Sequence, residues 1–558
     1  MEYFVQYTVF VLILSALMGL STWKLFRKMG HHPLLAFVPF YNYFLILKVS
    51  KKPKWWALLA YMPIVGSIMM TVFHLLLMEK FGKKLFPQKF LTVVLPFIYM
   101  AYINYFDDAE IDEMEDLFLT EEERQEKKKD TLIGSLTFAA VFATIIHTFV
   151  TQPFGIPTGS MERTLLVGDF LFVNKWSYGF RMPTRPLAIP FLQSTIMDTG
   201  EKGNPKDDPK SYVDVVELPY LRIFSSEPQR NDIVVFNYPD DSVHTAIDRK
   251  DPYVKRLLAT AGDVLEIKAG KVFINGKPEK RMADAEVQHS YTVTTEQLLD
   301  IDAIFKAYGV LPFEEKDGVY VFSGLTDAMV KDFKAMPGVT SVEENIDPKG
   351  EKTVGYYINK VKSMEEGETV LSNKINYSNT IFPHNKNWNP DWYGPLRIPK
   401  KGDVISLTED NLPEYQKLIT QYEGNTLVHK DGKFFINGKE TNQYTIKYNY
   451  YMMIGDNRDN SLDARFFGFV PETHIMGKPM FAWLSLQGLF SDSERGVSYS
   501  EGKIYQAPFK IRWERMFKAV NTGDANKTSY WWLAVLILTL FFGWDYIMKI
   551  FKKKKEDE

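Results

Sequence analysis

Two long runs without a single charged residue decide what this chain can fold into. Residues 5–23 (VQYTVFVLILSALMGLSTW) and 131–150 (TLIGSLTFAAVFATIIHTFV) are uncharged, and each approaches the roughly 20 apolar residues a helix needs to cross a bilayer core. A third run, 530–551, is apolar and aromatic. A chain carrying such runs is tied to a membrane, and its polar regions must be arranged around the spans. Residues 55–78 and 90–106 are further candidates, both interrupted by proline. Residues 34–47 are shorter and include Pro39 and Asn42, so a re-entrant or interfacial segment suits them as well as a span. No small-residue cleavage site follows the first apolar run, which therefore reads as an anchor rather than a removable signal. His147 reads as a residue tolerated near the far interface, not as a functional group.

The charges set the topology. Residues 107–130, from DDAEIDEMED to EEERQEKKKD, are too charged for lipid and read as a solvated helical linker. Lys127 to Lys129 precede the 131–150 run and Lys552 to Lys555 follow the 530–551 run. Basic clusters beside spans mark the cytoplasmic side. One span then leads out and one leads back, which places the large region between them on the extracytoplasmic face.

That region reads as mainly β. DIVVFNYP, DVLEIKAGKVFINGK and DVISLTED are short runs rich in β-branched and aromatic residues, punctuated by Gly, Asn and Pro. GKVFINGKPE (270–279) and GKFFINGKET (432–441) echo one another, and Asn-Gly in each favours a tight hairpin turn. Residues 295–346 differ, with two helical patterns (EQLLDIDAIFKAYG and DAMVKDFKAM) each followed by a strand-like run; they read as a small α/β insertion. The expected division is a membrane domain 1–106, linker 107–130, span 131–150, a β domain in two parts (151–294 and 347–528) around the insertion 295–346, a further insertion near 400–446, a span 530–551 and a tail 552–558.

Composition removes several function classes. With 558 residues and 46% hydrophobic content there is room for several domains, and a net charge of -3 points to no nucleic-acid partner. The absence of cysteine excludes disulfides, thiolate metal sites and a cysteine nucleophile. The nine histidines are scattered apart from His31 and His32, and no HExxH spacing occurs. No metal or other cofactor is expected.

Three segments carry candidate chemistry: IPTGSMERTL around Ser160, YVKR (Tyr253 to Arg256) and GDNRDNSLDARFFGFVP (Gly455 to Pro471). A Gly-Ser pair is by itself only a turn, and a serine hydroxyl needs a base before it becomes a useful nucleophile. No histidine stands out as that base. Lys255 is the alternative. A lysine on a strand ordinarily points to water, but packed among Tyr253, Val254, Leu257 and Leu258 its charged form would be disfavoured. A neutral amine within reach of Ser160 could then act as general base. Arg256 is expected on the opposite face of the strand, in solvent. The third segment is not a calcium loop, since the required glycine and terminal glutamate are missing; an ordinary polar turn is its bland reading. Within it Asp463 and Arg465 could pair, and Ser461 could hydrogen-bond a nearby amine.

Together these segments resemble the signature boxes of bacterial type I signal peptidases, membrane-anchored Ser-Lys endopeptidases, with RNDIVVFNYP (Arg230 to Pro239) matching a structural box. The resemblance implies a signal-peptidase/LexA-like β fold, with Ser160 as nucleophile and Lys255 as general base. It implies an oxyanion hole formed by the Ser160 backbone N–H and the Thr158 hydroxyl. Ser461 would orient Lys255, Asp463 and Arg465 would brace the site, and Tyr253, Asp456 and Asn460 complete the supporting set. Two departures stand out. Arg163 replaces a proline of the nucleophile box, and Ala259-Thr260-Ala261-Gly262-Asp263 replaces a Gly-x-Pro-Gly-Asp turn, which is expected to loosen both turns. The aromatic-Gly-Pro segment occurs at Tyr393-Gly394-Pro395, unusually far from Gly455.

The implied partners are the lipid bilayer and preproteins bearing signal peptides, with small residues at the first and third positions before the cut. The implied location is the inner membrane, multi-pass, with catalysis on the periplasmic side. A catalytically inactive, membrane-anchored relative acting as a binding or scaffold protein is the alternative, and a self-cleaving Ser-Lys regulator a further one. Intact Ser160, Lys255 and Ser461 argue for the enzyme.

Overall fold

The structure is a computed structural model that describes residues 1–111, 132–188, 216–241, 247–312, 314–354, 375–376, 381–489, 499–500, 503–504 and 509–520, with isolated positions from 531 to 539. Most of the linker 107–130 and of the span 530–551, and all of the tail 552–558, lie outside the described residues. The chain forms two compact units. One comprises Met1–Gln152, Gly179–Ser225 and Asp241–Lys250; the other comprises Pro153–Tyr178, Ser226–Asp240 and Asp251–Glu558.

In the first unit, helix α1 (Glu2–Lys28) is, among the described residues, the one helix long and apolar enough to cross a bilayer unaided. The candidate stretches 34–47 and 55–78 are not continuous helices but two copies of one turn. LLAFVPFYN (34–42) and LLAYMPIVG (58–66) each end a 3-10 helix (Pro33–Phe37, Lys54–Tyr61), pass through proline and a left-handed apolar residue (Phe40, φ 62°; Ile64, φ 68°), and begin an α-helix. Those helices are α2 (Tyr41–Val49) and α3 (Val65–Lys80). The same short bond recurs in each copy, Tyr41 N–H to Pro39 O at 2.7 Å and Val65 N–H to Pro63 O at 2.8 Å. The candidate 90–106 is likewise broken, into α4 (Phe86–Val94) and α5 (Pro96–Phe106), bent by 119°. Pro96 has no N–H to continue the helical ladder, and its ring crowds the preceding turn. Helix α6 (Leu132–Phe149) lies within the uncharged run 131–150.

The second unit is mainly β. Its central sheet contains β1 (Thr151–Gly155), β2 (Asp169–Asn174), β3 (Ile233–Asn237), β4 (Pro252–Ala259), β5 (Tyr450–Ile454), β6 (Val470–Pro471) and β7 (Ile475–Gln487). Their order is β1-β2-β7-β3-β4-β5-β6. Every residue of β3 and β5 is buried. Central strands covered on both faces read as unbroken apolar runs rather than alternating ones, and each fully buried large side chain contributes about 1.5–3 kcal/mol. This sets Lys255 opposite Val234 and Arg256 opposite Ile233 in the β3–β4 ladder.

The two echoing sequences are two copies of a three-stranded meander. Val264–Lys268, Lys271–Ile274 and Lys277–Pro278 form the first; Leu427–Lys430, Lys433–Ile436 and Lys439–Glu440 form the second. The corresponding asparagines, Asn275 (φ 53°) and Asn437 (φ 51°), both take the left-handed conformation. Each side chain also closes its meander. Asn275 accepts from Val264 N–H at 2.8 Å and donates to Asp263 at 2.9 Å, while Asn437 accepts from Thr426 N–H at 2.9 Å and donates to Asn425 at 2.9 Å.

The α/β unit begins at Gln288, ahead of the expected boundary at 295, because its central strand Gln288–Thr295 precedes the helical patterns. Strand, α7 (Ile301–Tyr308), two strands (Glu314–Lys316 and Val319–Thr326), α8 (Asp327–Ala335) and a last strand (Val339–Glu344) follow in turn. All neighbouring strands are antiparallel, in the order Glu314–Lys316, Val319–Thr326, Gln288–Thr295, Val339–Glu344. This is the βαββαβ arrangement of ferredoxin-like folds. Its core is Val293, Tyr320, Phe322, Phe333 and their neighbours. At its base the carboxylates of Glu344, Asp347, Asp391 and Asp459 gather near buried His289; Glu344 lies 3.4 Å from the imidazole. Burial, then the charges of Asp391 and Asp459, push the Asp347 carboxyl up to about 8.

Two outcomes follow for stability. Asn275→Ala and Asn437→Ala should each cost about 1–2 kcal/mol, since each removes side-chain hydrogen bonds and strains a left-handed position; thermal unfolding in detergent measures both. Asp347 binds its proton more tightly folded than unfolded, so its contribution is present below about pH 4 and is lost as pH rises toward 8. The unfolding midpoint of Asp347→Asn should therefore fall less than that of wild type across this window.

Candidate active site

Ser160 sits in a single 3-10 turn, Gly159–Met161, reached directly from β1. Lys255 projects from β4 and is 3% exposed, while Ser160 is 9% exposed. The structure brings them together: Lys255 Nζ donates a hydrogen bond to Ser160 Oγ. Lys255 Nζ also lies 5.5 Å from the centre of the Tyr253 ring, which itself stacks on Tyr238 at 4.4 Å. Thr158 stands exposed and extended at the N-cap of the Ser160 turn.

Arg256 is a correction. It is not solvated but 1% exposed, and it grips Asp456 through Nε (2.8 Å) and Nη2 (2.7 Å). β4 is flanked by β3 and β5 and covered on both faces, so the residue after Lys255 has no water to point into. Asp456 also accepts from the Thr164 hydroxyl at 2.7 Å. Burial alone would raise the Asp456 carboxyl, but Arg256 and the Thr164 hydroxyl hold it below the ordinary carboxylate range.

The rest of the 455–465 loop is tied within itself. Asp463 is fully buried and accepts from Gly455 N–H (3.1 Å) and from Arg465 Nε and Nη2 (both 2.9 Å). Arg465 donates also to Arg458 O at 2.5 Å. Burial pushes the Asp463 carboxyl up, yet Arg465, the Gly455 N–H and Lys255 bring it below its usual range. Asn460 closes a turn through its N–H to Asn457 O at 3.1 Å. The Ser461 hydroxyl is buried and has no hydrogen-bond partner among the described residues.

Three residues of the site went unread in the sequence. Asn457 donates from its N–H to Ser160 O (3.1 Å) and from its side chain to Gly159 O (3.1 Å), fixing the turn by its own carbonyls. Thr164 links the Ser160 segment to Asp456. Gly455 has no room for a side chain, since a Cβ there would lie 2.5 Å from Ser160 O and closer still to Ser461 Oγ. The last of these had a signal in the glycine opening the box; the other two act through partners remote in sequence.

The substituted turn at 259–263 is not loosened. Asp263 accepts from Thr260 N–H and Oγ1 (both 2.8 Å) and from Asn275 (2.9 Å), and pairs with Arg230. Gly262 supplies the left-handed position (φ 91°).

The sequence matches the family described as signal peptidase, peptidase S26, over residues 130–305 and 440–484. Residues 34–112 match a separate family of unknown function. Signal peptidase I of Haemophilus influenzae is 25% identical over 408 residues, 72% of this chain and 80% of that protein. Signal peptidase I of Helicobacter pylori is 26% identical over 381 residues, 68% of this chain and 89% of the relative. That of Rickettsia rickettsii is 24% identical over 396 residues, covering 70% and 93%. The matched stretches contain Ser160, Lys255 and the whole 455–465 loop; over them the chain is similar to signal peptidases of the peptidase S26 family, and it is a serine endopeptidase.

Proposed function

We propose that this protein removes signal peptides from exported preproteins at the membrane surface, with Ser160 and Lys255 as a catalytic dyad. The observation that carries the reading is the hydrogen bond from the buried Lys255 amine to Ser160 Oγ. The role of base requires the neutral amine, since only that form can accept a proton. Lys255 Nζ takes the Ser160 proton as Oγ attacks the scissile carbonyl. The oxyanion is held by the Ser160 N–H and the Thr158 hydroxyl, donors aimed where charge develops. The C–N bond then breaks, Lys255 hands its proton to the departing amine, and the mature protein leaves. Water, deprotonated by Lys255, attacks the acyl ester and frees the signal peptide and Ser160. Ser461, at the neighbouring loop, is the residue we assign to orienting Lys255.

The preprotein enters with its apolar segment in lipid. Ser160 follows the 131–150 run by about ten residues, which places the hydroxyl near the bilayer surface. β1 lies at the edge of the central sheet and leads into the nucleophile turn. An extended substrate beside it presents alternate side chains to the protein, so that small residues are selected at the first and third positions before the cut. The basic clusters 127–129 and 552–555 favour a multi-pass arrangement in the inner membrane with the β unit on the periplasmic side.

Ser160→Ala and Lys255→Ala, purified full-length in detergent and given a preprotein with an alanine-type cleavage site, should each lose about a thousandfold or more in kcat. Normal cutting by either variant, or no cutting by wild type, would sink the dyad. Gly455→Ala should lower kcat at least about tenfold, since the added methyl must displace the Ser160 carbonyl or the Ser461 hydroxyl; unchanged turnover would show that the two loops need not meet so closely.

A further inference from the structure

The α/β unit reaches both loops that build the site. At its base, Gln288 N–H donates to Asp456 O at 2.9 Å and Gln288 O accepts from Arg458 N–H at 3.0 Å. Its first strand thus runs alongside Asn457, the residue that holds the Ser160 and Gly159 carbonyls. A second contact comes from α7. Its last residue, Tyr308, offers a backbone carbonyl that accepts a hydrogen bond from Arg163 Nη2.

Arg163 lies three residues beyond Ser160, with φ 69°. Proline is confined near φ −65° and cannot occupy this conformation, so the turn is a different one from the proline turn of the resembling box. For a residue with a Cβ the left-handed region is unfavourable. The guanidinium offsets that cost where it is suited to act. The last carbonyls of a helix lack intrahelical partners and carry the negative end of its dipole. Gly309 supplies the left-handed C-cap that leaves the Tyr308 carbonyl turned outward, with its own N–H bonded to Phe305 O at 2.8 Å.

We propose that Arg163 is a positioning residue for Ser160, and that through it the α/β unit sets the conformation of the nucleophile turn. The proposal rests on the assignment of Ser160 as nucleophile. The insertion is then part of the peptidase machinery, and a displacement of α7 is felt at Ser160.

The test uses the full chain in detergent with an alanine-type preprotein. Arg163→Gly accepts the left-handed turn more readily than arginine but lacks the guanidinium. It should lower kcat by about tenfold to a hundredfold, the scale set by a misplacement of about 1 Å, with KM within twofold. Arg163→Lys should recover part of the loss. Gly309→Ala strains the C-cap where the nearest atom to the new methyl is Arg163 Nη2, at 3.9 Å. It should reproduce the defect, and the double variant should be no worse than the poorer single. Hydrogen exchange over residues 156–165 reads the turn without activity, and Arg163→Gly should raise it there. Wild-type kcat in Arg163→Gly, independent effects of the two changes, or unaltered exchange would each overturn the proposal. Raised exchange with a Ser160→Ala enzyme that still cuts would instead reject Ser160 as nucleophile and leave the tether standing.

Discussion

The buried Asp456 carboxylate is the joint on which the rest of the site depends. It binds Arg256, 200 residues away in sequence, and Thr164, 292 residues away. Removing two charges from water costs several kcal/mol for each ion, and mutual attraction offsets this only where the geometry is good and the remaining lone pairs are used. Here the guanidinium bonds both oxygens and the threonine hydroxyl adds a third contact. The gain is registry more than stability. β4 alternates its side chains, so Lys255 and Arg256 leave the strand in opposite directions. One is available to Ser160 while its neighbour fastens the strand to the loop that braces the turn. A slip of one residue between β3 and β4 would exchange the two faces and lose both contacts.

Much of this was legible in the sequence, and the parts that were not share a cause. The Asn-Gly turns announced both meanders, because the left-handed position they require is cheap for few residues. The spacing of GDNRDNSLDAR placed Asp463 and Arg465 close enough to pair within one loop. Arg256 was misread because the expectation that alternate strand residues meet water holds only for a sheet with one open face. Asn457 acts on backbone carbonyls, and nothing in its immediate neighbours says which carbonyls those are. The α/β unit was seen by its helices, so its central strand, which carries the contact to the 455–465 loop, fell on the wrong side of the boundary.

The two departures from the resembling family's boxes now have different physical meanings. At 259–263 the rigidity a proline would supply through its ring comes instead from hydrogen bonds to Asp263. Burial would raise that carboxyl, but Arg230, the Thr260 N–H and Asn275 hold it below its usual range, so it serves as a charged acceptor. This is a like-for-like replacement, and nothing outside the turn needs to change. At Arg163 the backbone itself has left the region a proline can occupy. Its partner lies on the α/β unit, which means this departure and the insertion are parts of one arrangement.

The first unit follows a related logic. Where a helix is broken away from water, the freed backbone groups must find partners inside the protein. The tandem turns satisfy them with the same bonds in both copies, Asn42 N–H to Val38 O at 3.0 Å and Gly66 N–H to Met62 O at 2.7 Å. Polar side chains then tie the copies together. Asn42 of the first donates to the Tyr61 hydroxyl of the second at 3.2 Å, and that hydroxyl lies 2.9 Å from Ser15 of α1. An anchor needs none of this, since one apolar helix suffices to hold a domain at a bilayer. Left-handed Phe40 and Ile64 cost backbone energy in both copies, and strain of that kind persists only where the surrounding contacts fix it. The unit that precedes the peptidase is therefore a specified fold with its own internal repeat.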